Sequence, residues 1–302
     1  MIVEAKGLRK QYNGVWALDG LDLAIEEREI YGLLGPNGSG KTTTILILLG
    51  LTEPTAGEVR VCGHDPVREP LAVKRLVGYM PEKVGFYEEL SAFENLRFIT
   101  RLNGIPEGEA RKRILEALEQ VGLKDVAHRP VATFSHGMRQ RLGLADVLVK
   151  KPRLAILDEP TSGIDPEGAA QILDLIRLLR DEAGMTVLLS SHLLHQVQRV
   201  CDRVGILHRG RMVAEGRVAE LTAPGGFVAV LAQASPILRA RLEAAEWALA
   251  VEEPRPGELQ VTLAEEGRPE LLRFAAEEGA LLLELRPREP TLEEIYLRYF
   301  RE

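Results

Sequence analysis

Apolar and polar residues alternate along residues 2–25, which predicts short strands on both sides of a turn at Gln11-Tyr12-Asn13-Gly14. The Asn-Gly pair in that turn favours a β-hairpin. Three later segments are mainly apolar, the pattern of strands buried on both faces of a parallel sheet. These runs are residues 29–34, 154–157 and 186–191, and further strand candidates are residues 58–61, 76–80, 204–207 and 211–215. With helical segments between the strands, the pattern predicts an α/β fold.

The periodicity becomes helical over residues 81–151. A capping box of the form Ser-x-x-Glu at residues 91–94 begins one helix. Pro106 opens a second helix, which Gly122 ends. We therefore expect a helical insertion at about residues 82–151 within the α/β domain.

Residues 222–226, Thr-Ala-Pro-Gly-Gly, have the composition of a linker. Strands and helices alternate again beyond them, and Thr291 caps a final helix. This segment carries no catalytic constellation. We expect two domains, an α/β domain of residues 1–221 and a small α+β domain of residues 222–302.

Composition and charge narrow the range of functions. The chain has 302 residues, room for roughly two domains, and its net charge of −7 argues against a general nucleic-acid binder. Its two cysteines, Cys62 and Cys201, lack metal-ligand spacing and fit a reducing compartment. No run approaches the ~18–20 apolar residues that cross a bilayer, and the N-terminus has no basic region before an apolar segment. We expect a soluble chain that is not exported.

Residues 35–42 fit the pattern GxxxxGK(S/T) between an apolar run and a helical one. The members of this loop are Gly35, Pro36, Asn37, Gly38, Ser39, Gly40, Lys41 and Thr42, and Thr43 follows them. The glycines let successive N–H groups turn toward an anion. Lys41 then faces the β- and γ-phosphates at a positive helix terminus, and Thr42 offers its hydroxyl to Mg²⁺. The alternative, a glycine-rich turn, rarely has both flanking elements.

Two carboxylates, Asp158 and Glu159, follow the apolar run of residues 154–157. Adjacent carboxylates at the end of a buried strand are costly unless something binds them, and Mg²⁺ would do so. In a phosphate-loop fold, Asp158 would lie near Thr42 and Mg²⁺, while Glu159 would face the γ-phosphate and an attacking water.

Single residues elsewhere have both a structural and a functional interpretation. His192 follows the strand of residues 186–191, and the convergence of three strand ends on one sheet edge favours a functional role for it. For Tyr12, in the first turn, simple packing and stacking on adenine both stay open. Ser135 and Asp165 are interpreted as helix caps on this evidence. Four other histidines, His128, His136, His195 and His208, are interpreted as ordinary polar residues.

In this order, the motifs resemble the ATP-binding subunit of an ABC transporter over about residues 1–220. The resemblance implies a P-loop NTPase fold of ABC type that binds ATP and Mg²⁺. It implies that Tyr12 stacks on adenine, that residues 35–42 are the Walker A loop, and that residues 154–158 are the Walker B strand. Lys41, Glu159 and His192 would be catalytic, with Glu159 as the base and His192 as the switch histidine. Residues 162–165, which end at Asp165, resemble the D-loop.

Two motifs depart from the family pattern. The signature is usually Leu-Ser-Gly-Gly-Gln, and this chain has Phe-Ser-His-Gly-Met at residues 134–138. Ser135 and Gly137 are kept, and the resemblance implies that they contact the γ-phosphate of a nucleotide bound by a partner subunit. Glu82 stands where the family usually has glutamine; it can order Mg²⁺ or water but cannot donate an amide hydrogen bond. With the C-terminal domain, these departures resemble the drug and antibiotic export branch.

The resemblance implies a head-to-tail dimer, expected to be a homodimer, that hydrolyses ATP and drives a polytopic membrane permease on a separate chain. The chain would then be cytoplasmic and peripheral on the inner face of the cell membrane, with no nucleic-acid partner. A soluble mechanical ATPase of the same superfamily, acting on nucleic acid or the ribosome, is the alternative. Against it, the signature follows Lys41 without a long coiled coil, and the chain has a single cassette. A third alternative, a nucleotide-sensing module without turnover, is disfavoured by Glu159 and His192.

Overall fold

A computed structural model of the chain describes residues 1–223, 225–288 and 291–300. The chain divides into two compact units, Met1–Val218 and Ala219–Glu302. Some residues of the predicted linker and of the predicted C-terminal domain lie outside the described residues, namely Pro224, Glu289, Pro290, Arg301 and Glu302. Among the described helices, none combines the length and the apolar character that crossing a bilayer requires.

The strands of the first unit form an antiparallel sheet and a larger, mostly parallel one. They are β1 (Val3–Tyr12), β2 (Val15–Ile25), β3 (Ile30–Leu34), β4 (Ala56–Val61), β5 (Val77–Met80), β6 (Leu154–Asp158), β7 (Thr186–Ser191), β8 (Arg203–His208) and β9 (Arg211–Arg217). The antiparallel sheet has the order β2-β1-β4, and the six-stranded sheet has the order β5-β6-β7-β3-β8-β9.

In the six-stranded sheet, all neighbouring strands are parallel except β9, which joins β8 antiparallel at one edge. Strands β3, β6 and β7 are buried at every position. This is the burial expected of central strands covered on both faces, and it explains why their sequences are mainly apolar. The predicted α/β fold is confirmed.

Strands β1 and β2 are longer than the short strands that the alternation predicted. They have 10 and 11 residues, and their pairing shifts register after Ala5, Leu8 and Lys10. Such bulges break the two-residue alternation while the strand continues. The segment is therefore one long bulged pair.

The helices of the first unit and of its boundary with the second are α1 (Lys41–Leu48), α2 (Pro70–Leu76), α3 (Ala92–Leu102), α4 (Glu107–Gln120), α5 (His136–Val149), α6 (Pro166–Ala183), α7 (Leu194–Val200) and α8 (Val218–Leu221). Helices α3, α4 and α5 pack together between β5 and β6 in the chain. The capping box of α3 is confirmed, because the Ser91 hydroxyl accepts from the amide of Glu94 and the Glu94 carboxylate accepts from the amide of Ser91. Ser135 caps α5 and Asp165 caps α6, also as predicted.

The second unit has the strands β10 (Phe227–Ala232), β11 (Ala248–Arg255), β12 (Glu258–Leu263) and β13 (Leu281–Pro287), with the helices α9 (Pro236–Glu243), α10 (Arg268–Glu277) and α11 (Leu292–Phe300). The strands form an antiparallel sheet in the order β11-β12-β10-β13. Buried leucines of the sheet and of α9 and α10 share one core. This is an α+β arrangement, in which β11 is a strand that the sequence pattern did not predict.

Candidate active site

Strands β6, β7 and β3 are neighbours in the six-stranded sheet, and their carboxyl ends lie at one edge because they are parallel. The phosphate loop follows β3, Asp158 ends β6, and His192 follows β7. The structure therefore brings the three predicted motifs together at the edge where open α/β sheets bind ligands.

The phosphate loop packs against neighbouring backbone so closely that two of its positions have no room for a side chain. A Cβ on Gly35 would lie 2.5 Å from the carbonyl oxygen of Leu207, and one on Gly40 would lie 2.8 Å from that of Ala17. Gly40 also has a φ of 114°, which residues with a Cβ avoid. These contacts fix the loop in front of the sheet edge.

The tip of the loop consists of Pro36, Asn37 and Gly38. The amide of Ser39 donates to the carbonyl oxygen of Pro36 at 3.1 Å and closes the tip as a turn. Asn37 and Gly38 are exposed, whereas Ser39 is buried. Within the described part of the chain, the Ser39 Oγ atom has no hydrogen-bond partner, and a buried hydroxyl of this kind favours a polar ligand at the loop.

Lys41 is buried at the start of α1, and its ammonium donates to the carbonyl oxygen of Gly35 at 2.7 Å. Burial lowers the pKa of Lys41, and the carboxylates of Glu159, Asp158 and Glu82 act in the opposite direction. The ammonium is therefore close enough to interact with all three carboxylates. Asp158 ends β6, Glu159 follows it directly, and Glu82 lies just beyond β5.

Helix α1 begins without a side-chain cap at Gly40, so the amides of its first turn can bind an anion. Thr42 is exposed at this terminus and Thr43 is half-buried. The hydroxyl of Thr44, by contrast, donates back to the carbonyl oxygen of Gly40 at 3.0 Å. The first turn of α1 thus presents Thr42 and Thr43 at the loop.

Asp158 is buried at the end of β6, and its Oδ1 atom accepts a hydrogen bond from the hydroxyl of Ser190 on β7. The pKa of Asp158 is raised above its usual value, mainly because of burial. The hydrogen bond from Ser190 and the charge of Lys41 act against this rise, and the charge of Glu82 adds to it. Ser190 is a residue that the sequence interpretation missed. The bond holds one carboxylate oxygen and leaves the other for a ligand.

Glu159 and His192 form the second pair of the site. The Nδ1 atom of His192 lies 2.9 Å from Oε2 of Glu159. Because a carboxylate can only accept, Nδ1 carries the proton and donates it. The Glu159 side chain is 11% exposed and that of His192 is 51% exposed. Glu159 also has a φ of +50°, an unfavourable backbone conformation for glutamate of the kind that concentrates at functional sites.

The oxygen atoms at this edge suit Mg²⁺. This ion prefers oxygen ligands and usually binds through one or two carboxylates together with substrate phosphates. Asp158 provides a carboxylate, and Thr42 provides a hydroxyl. The carboxylate of Glu82 is close enough to Asp158 to raise the pKa of Asp158 by charge repulsion. The donor set therefore fits Mg²⁺.

The other predicted residues lie elsewhere in the unit. Ser135 caps α5, and Gly137 lies in its first turn. Gly137 faces the turn of residues 162–165, where Ile164 is 3.9 Å from the position of a Cβ on Gly137. Asp165 accepts from the amide of Gly168 as the cap of α6. Their roles at a partner's nucleotide stay predictions.

Tyr12 ends β1 on the antiparallel sheet. Its side chain is exposed, and the ammonium of Lys10 lies 4.8 Å from the ring centroid. Adenine stacking on Tyr12 stays a prediction.

Sequence reasoning also missed two contacts of the site. Nε2 of Gln140, buried in α5, lies 3.5 Å from the carbonyl oxygen of Glu82. His136, interpreted from the sequence as an ordinary polar residue, has Nε2 at 2.9 Å from the carbonyl oxygen of Ser162. Its position beside Ser135 is the one sequence signal that could have indicated this contact.

Comparison with known proteins agrees with this geometry. The family model for ABC transporters matches residues 18–162. The daunorubicin/doxorubicin resistance ATP-binding protein DrrA of Streptomyces peucetius is 40% identical over 270 residues, which are 89% of this chain and 79% of DrrA. The linearmycin resistance ATP-binding protein LnrL of Bacillus subtilis is 36% identical over 303 residues, covering 98% of this chain and 97% of LnrL.

Solved structures of related proteins have the same fold. CbiO1 from Clostridium perfringens, part of the ABC transporter complex cbiONQ, superposes with a TM-score of 0.69 at 28% identity, covering 74% of this chain and 90% of cbiO1. The dimeric ATP-binding cassette MJ0796 bound to ADP and Pi has a TM-score of 0.65 at 28% identity, covering 72% of this chain and 98% of that cassette.

A phosphate loop, a buried carboxylate pair and a histidine at one edge of a parallel sheet define a P-loop ATPase. The chain belongs to the ATP-binding proteins of ABC transporters. The predictions of an ABC-type fold, of ATP binding and of ATPase activity are confirmed by this membership.

Proposed function

We propose that this chain hydrolyses ATP in a head-to-tail homodimer and powers export through a separate membrane-spanning partner. The observation that carries the proposal is the pairing of Glu159 with His192, next to Lys41 and Asp158, at the carboxyl edge of the sheet. DrrA and LnrL are both named as resistance proteins, which supports export as the direction of transport.

The chemistry assigned to each side chain follows from its surroundings. Glu159 accepts the proton of the attacking water, and His192 orients the carboxylate by donating from Nδ1. Lys41 and the loop amides neutralise charge on the β- and γ-phosphates. Mg²⁺, held by Thr42 and Asp158 with Glu82 close by, would add to this neutralisation when it is bound.

The second subunit would complete each nucleotide site. Ser135 is exposed at the start of α5, so its hydroxyl and the backbone of Gly137 are accessible to a nucleotide held by the partner. Asp165 would line the same interface, and the exposed ring of Tyr12 would stack on the adenine. The dimeric state of the MJ0796 cassette supports this arrangement.

An exposed apolar patch favours contact with a second chain. Tyr87 and Phe98 form an edge-to-face pair with ring centroids 5.4 Å apart, and they are 52% and 40% exposed. Leu102, at the end of α3, is 69% exposed. Buried Asn95 bonds both the amide and the carbonyl of Tyr87 and so anchors the patch. We propose that the membrane-spanning permease binds here and holds the chain, cytoplasmic and peripheral, on the inner face of the cell membrane.

We propose that the two domains have different roles. Residues 1–221 would bind and hydrolyse ATP, and residues 222–302 would form an accessory domain that supports dimerisation or regulates turnover. Deleting residues 222–302 should then change ATP-driven dimerisation or the turnover rate. A deletion variant that matches the full chain in both would refute the accessory role.

The decisive variant is Glu159→Gln, which removes the base and keeps the shape of the side chain. Turnover should fall by ~10²–10⁴, the usual effect of a positioned acid or base, while ATP binding is retained. Glu167→Gln, in the exposed first turn of α6, is a matched control and should leave turnover unchanged. Near-normal turnover in Glu159→Gln would refute the catalytic assignment.

The partner is tested by purifying tagged Glu159→Gln with Mg-ATP from detergent-solubilised membranes. A polytopic membrane protein recovered in near-equal amount would support the transport function. Recovery only from the soluble fraction, with ribosomes or DNA, would refute it and favour the mechanical ATPase.

A further inference from the structure

The side chain of His136 connects the first turn of α5 to the turn of residues 162–165. Its Nε2 atom lies 2.9 Å from the carbonyl oxygen of Ser162. The ring also lies against the next residue of that turn, because a Cβ on Gly163 would be 3.1 Å from Nε2. Gly163 has a φ of +71°, so glycine suits both the backbone and the space there.

The direction of the hydrogen bond is set by its partner. A carbonyl oxygen only accepts, so Nε2 carries a proton and donates it. The bond is therefore a donor contact, and a glycine or an aliphatic residue at position 136 could not make it.

The turn that His136 contacts is bonded directly to the proposed base. The amide of Ser162 donates to the carbonyl oxygen of Glu159 at 3.0 Å. On the other side, His136 lies between Ser135 and Gly137, the residues proposed to contact the nucleotide of the second subunit. Two hydrogen bonds thus connect the segment that reaches the partner's nucleotide with the backbone of this subunit's own Glu159.

We infer that His136 is a positioning residue, whose hydrogen bond to Ser162 couples the two nucleotide sites of the dimer. Movement of Ser135 onto the partner's nucleotide is passed through His136 and Ser162 to Glu159. The coupling makes turnover cooperative in ATP. The inference rests on the proposed dimeric ATPase function.

Two substitutions of His136 distinguish the effect of its N–H donor from the effect of its side-chain bulk. His136→Gln keeps an N–H donor at the same number of bonds from Cα, whereas His136→Leu keeps bulk without a donor. Arg141→Met is the matched control, because it removes another hydrogen bond made by α5, the 2.8 Å contact of Arg141 with Gln171 of α6. His136 is exposed, so these substitutions remove no buried packing.

The experiment measures ATP turnover of each full-length variant against ATP concentration and fits kcat and a Hill coefficient. A neutral hydrogen bond is worth about five- to ten-fold, so His136→Leu should lose about that much of kcat. Its Hill coefficient should fall toward one. His136→Gln and Arg141→Met should keep the cooperativity of the unmodified chain.

Three results would overturn the inference. The first is unchanged cooperativity in His136→Leu. The second is a loss of kcat in His136→Gln equal to that in His136→Leu. The third is a loss of kcat in Arg141→Met as large as that in His136→Leu. The proposed function fails by a different result, retained turnover in Glu159→Gln, so the two failures are distinguishable in one set of measurements.

Discussion

Asp146 is a partly buried carboxyl in the middle of α5, and its environment predicts a pH-dependent loss of stability. Within the described residues its Oδ1 atom is buried without a hydrogen-bond partner. Burial raises the pKa of Asp146 from 3.8 to about 6, although Lys150 lowers it. The ammonium of Lys150 donates to the carbonyl oxygens of Lys74 and Val77. Ionised Asp146 therefore lacks full compensation for its burial.

The direction of the pH dependence follows from which state, folded or unfolded, binds the Asp146 proton. Between pH values near 4 and 6 the folded chain keeps the Asp146 proton while the unfolded chain releases it, so the free energy of unfolding falls as pH rises. Above both pKa values, the cost is about 3 kcal/mol at 1.36 kcal/mol per pKa unit. Asp146→Asn removes the charge, and its advantage over the unmodified chain should grow from about 1 kcal/mol at pH 4.5 to about 3 kcal/mol at pH 7.5.

Urea unfolding followed by circular dichroism at several pH values measures this difference. Asp125→Asn, at an exposed aspartate, is the matched control and should give no pH-dependent difference. The reasoning is refuted if Asp146→Asn differs from the unmodified chain by the same amount at every pH, or if it is the less stable protein at pH 7.5.

The remaining predictions concern the loop and the helical region. Gly40→Ala would place a Cβ 2.7 Å from Leu18 and 2.8 Å from the carbonyl oxygen of Ala17, at a φ of 114°. Isothermal titration calorimetry should therefore show weaker ATP binding by this variant. Gly108→Ala, where a Cβ would meet no atom within 4 Å beyond its chain neighbours and the backbone of its own helix, is the control. Ser91→Ala removes the cap of α3 and should lower the free energy of unfolding by ~1 kcal/mol, whereas Ser91→Thr should retain most of it. Unaltered ATP affinity in the first variant, or unaltered urea midpoints in the second, would contradict these expectations.

The sequence predicted best those features that depend on local pattern. Strands β6 and β7 were visible because both faces are covered, every position is buried and the middle of each strand is apolar. The caps of α3, α5 and α6 were visible because a cap is a short-range hydrogen bond between neighbours in sequence. The convergence of the three motifs followed from the rule that parallel strands end at one edge.

What the sequence did not predict depends on tertiary neighbours. Strand β11 is exposed at most positions, so its residues carry no apolar alternation. The bonds from Ser190 to Asp158 and from His136 to Ser162 join residues 32 and 26 positions apart. Such pairs depend on which elements pack together, and no spacing rule along the chain reports that.

The backbone at Glu159 shows a conflict between folding and chemistry. Its φ of +50° is a conformation that glycine, asparagine and aspartate tolerate better than glutamate. Aspartate would suit that backbone, but its carboxylate is one methylene shorter and would move away from the His192 ring, now at 2.9 Å. A smaller residue would suit this backbone but could not reach His192 in the same way. The glutamate at this position is therefore explained by the length that the contact with His192 requires, at a cost to the local backbone conformation.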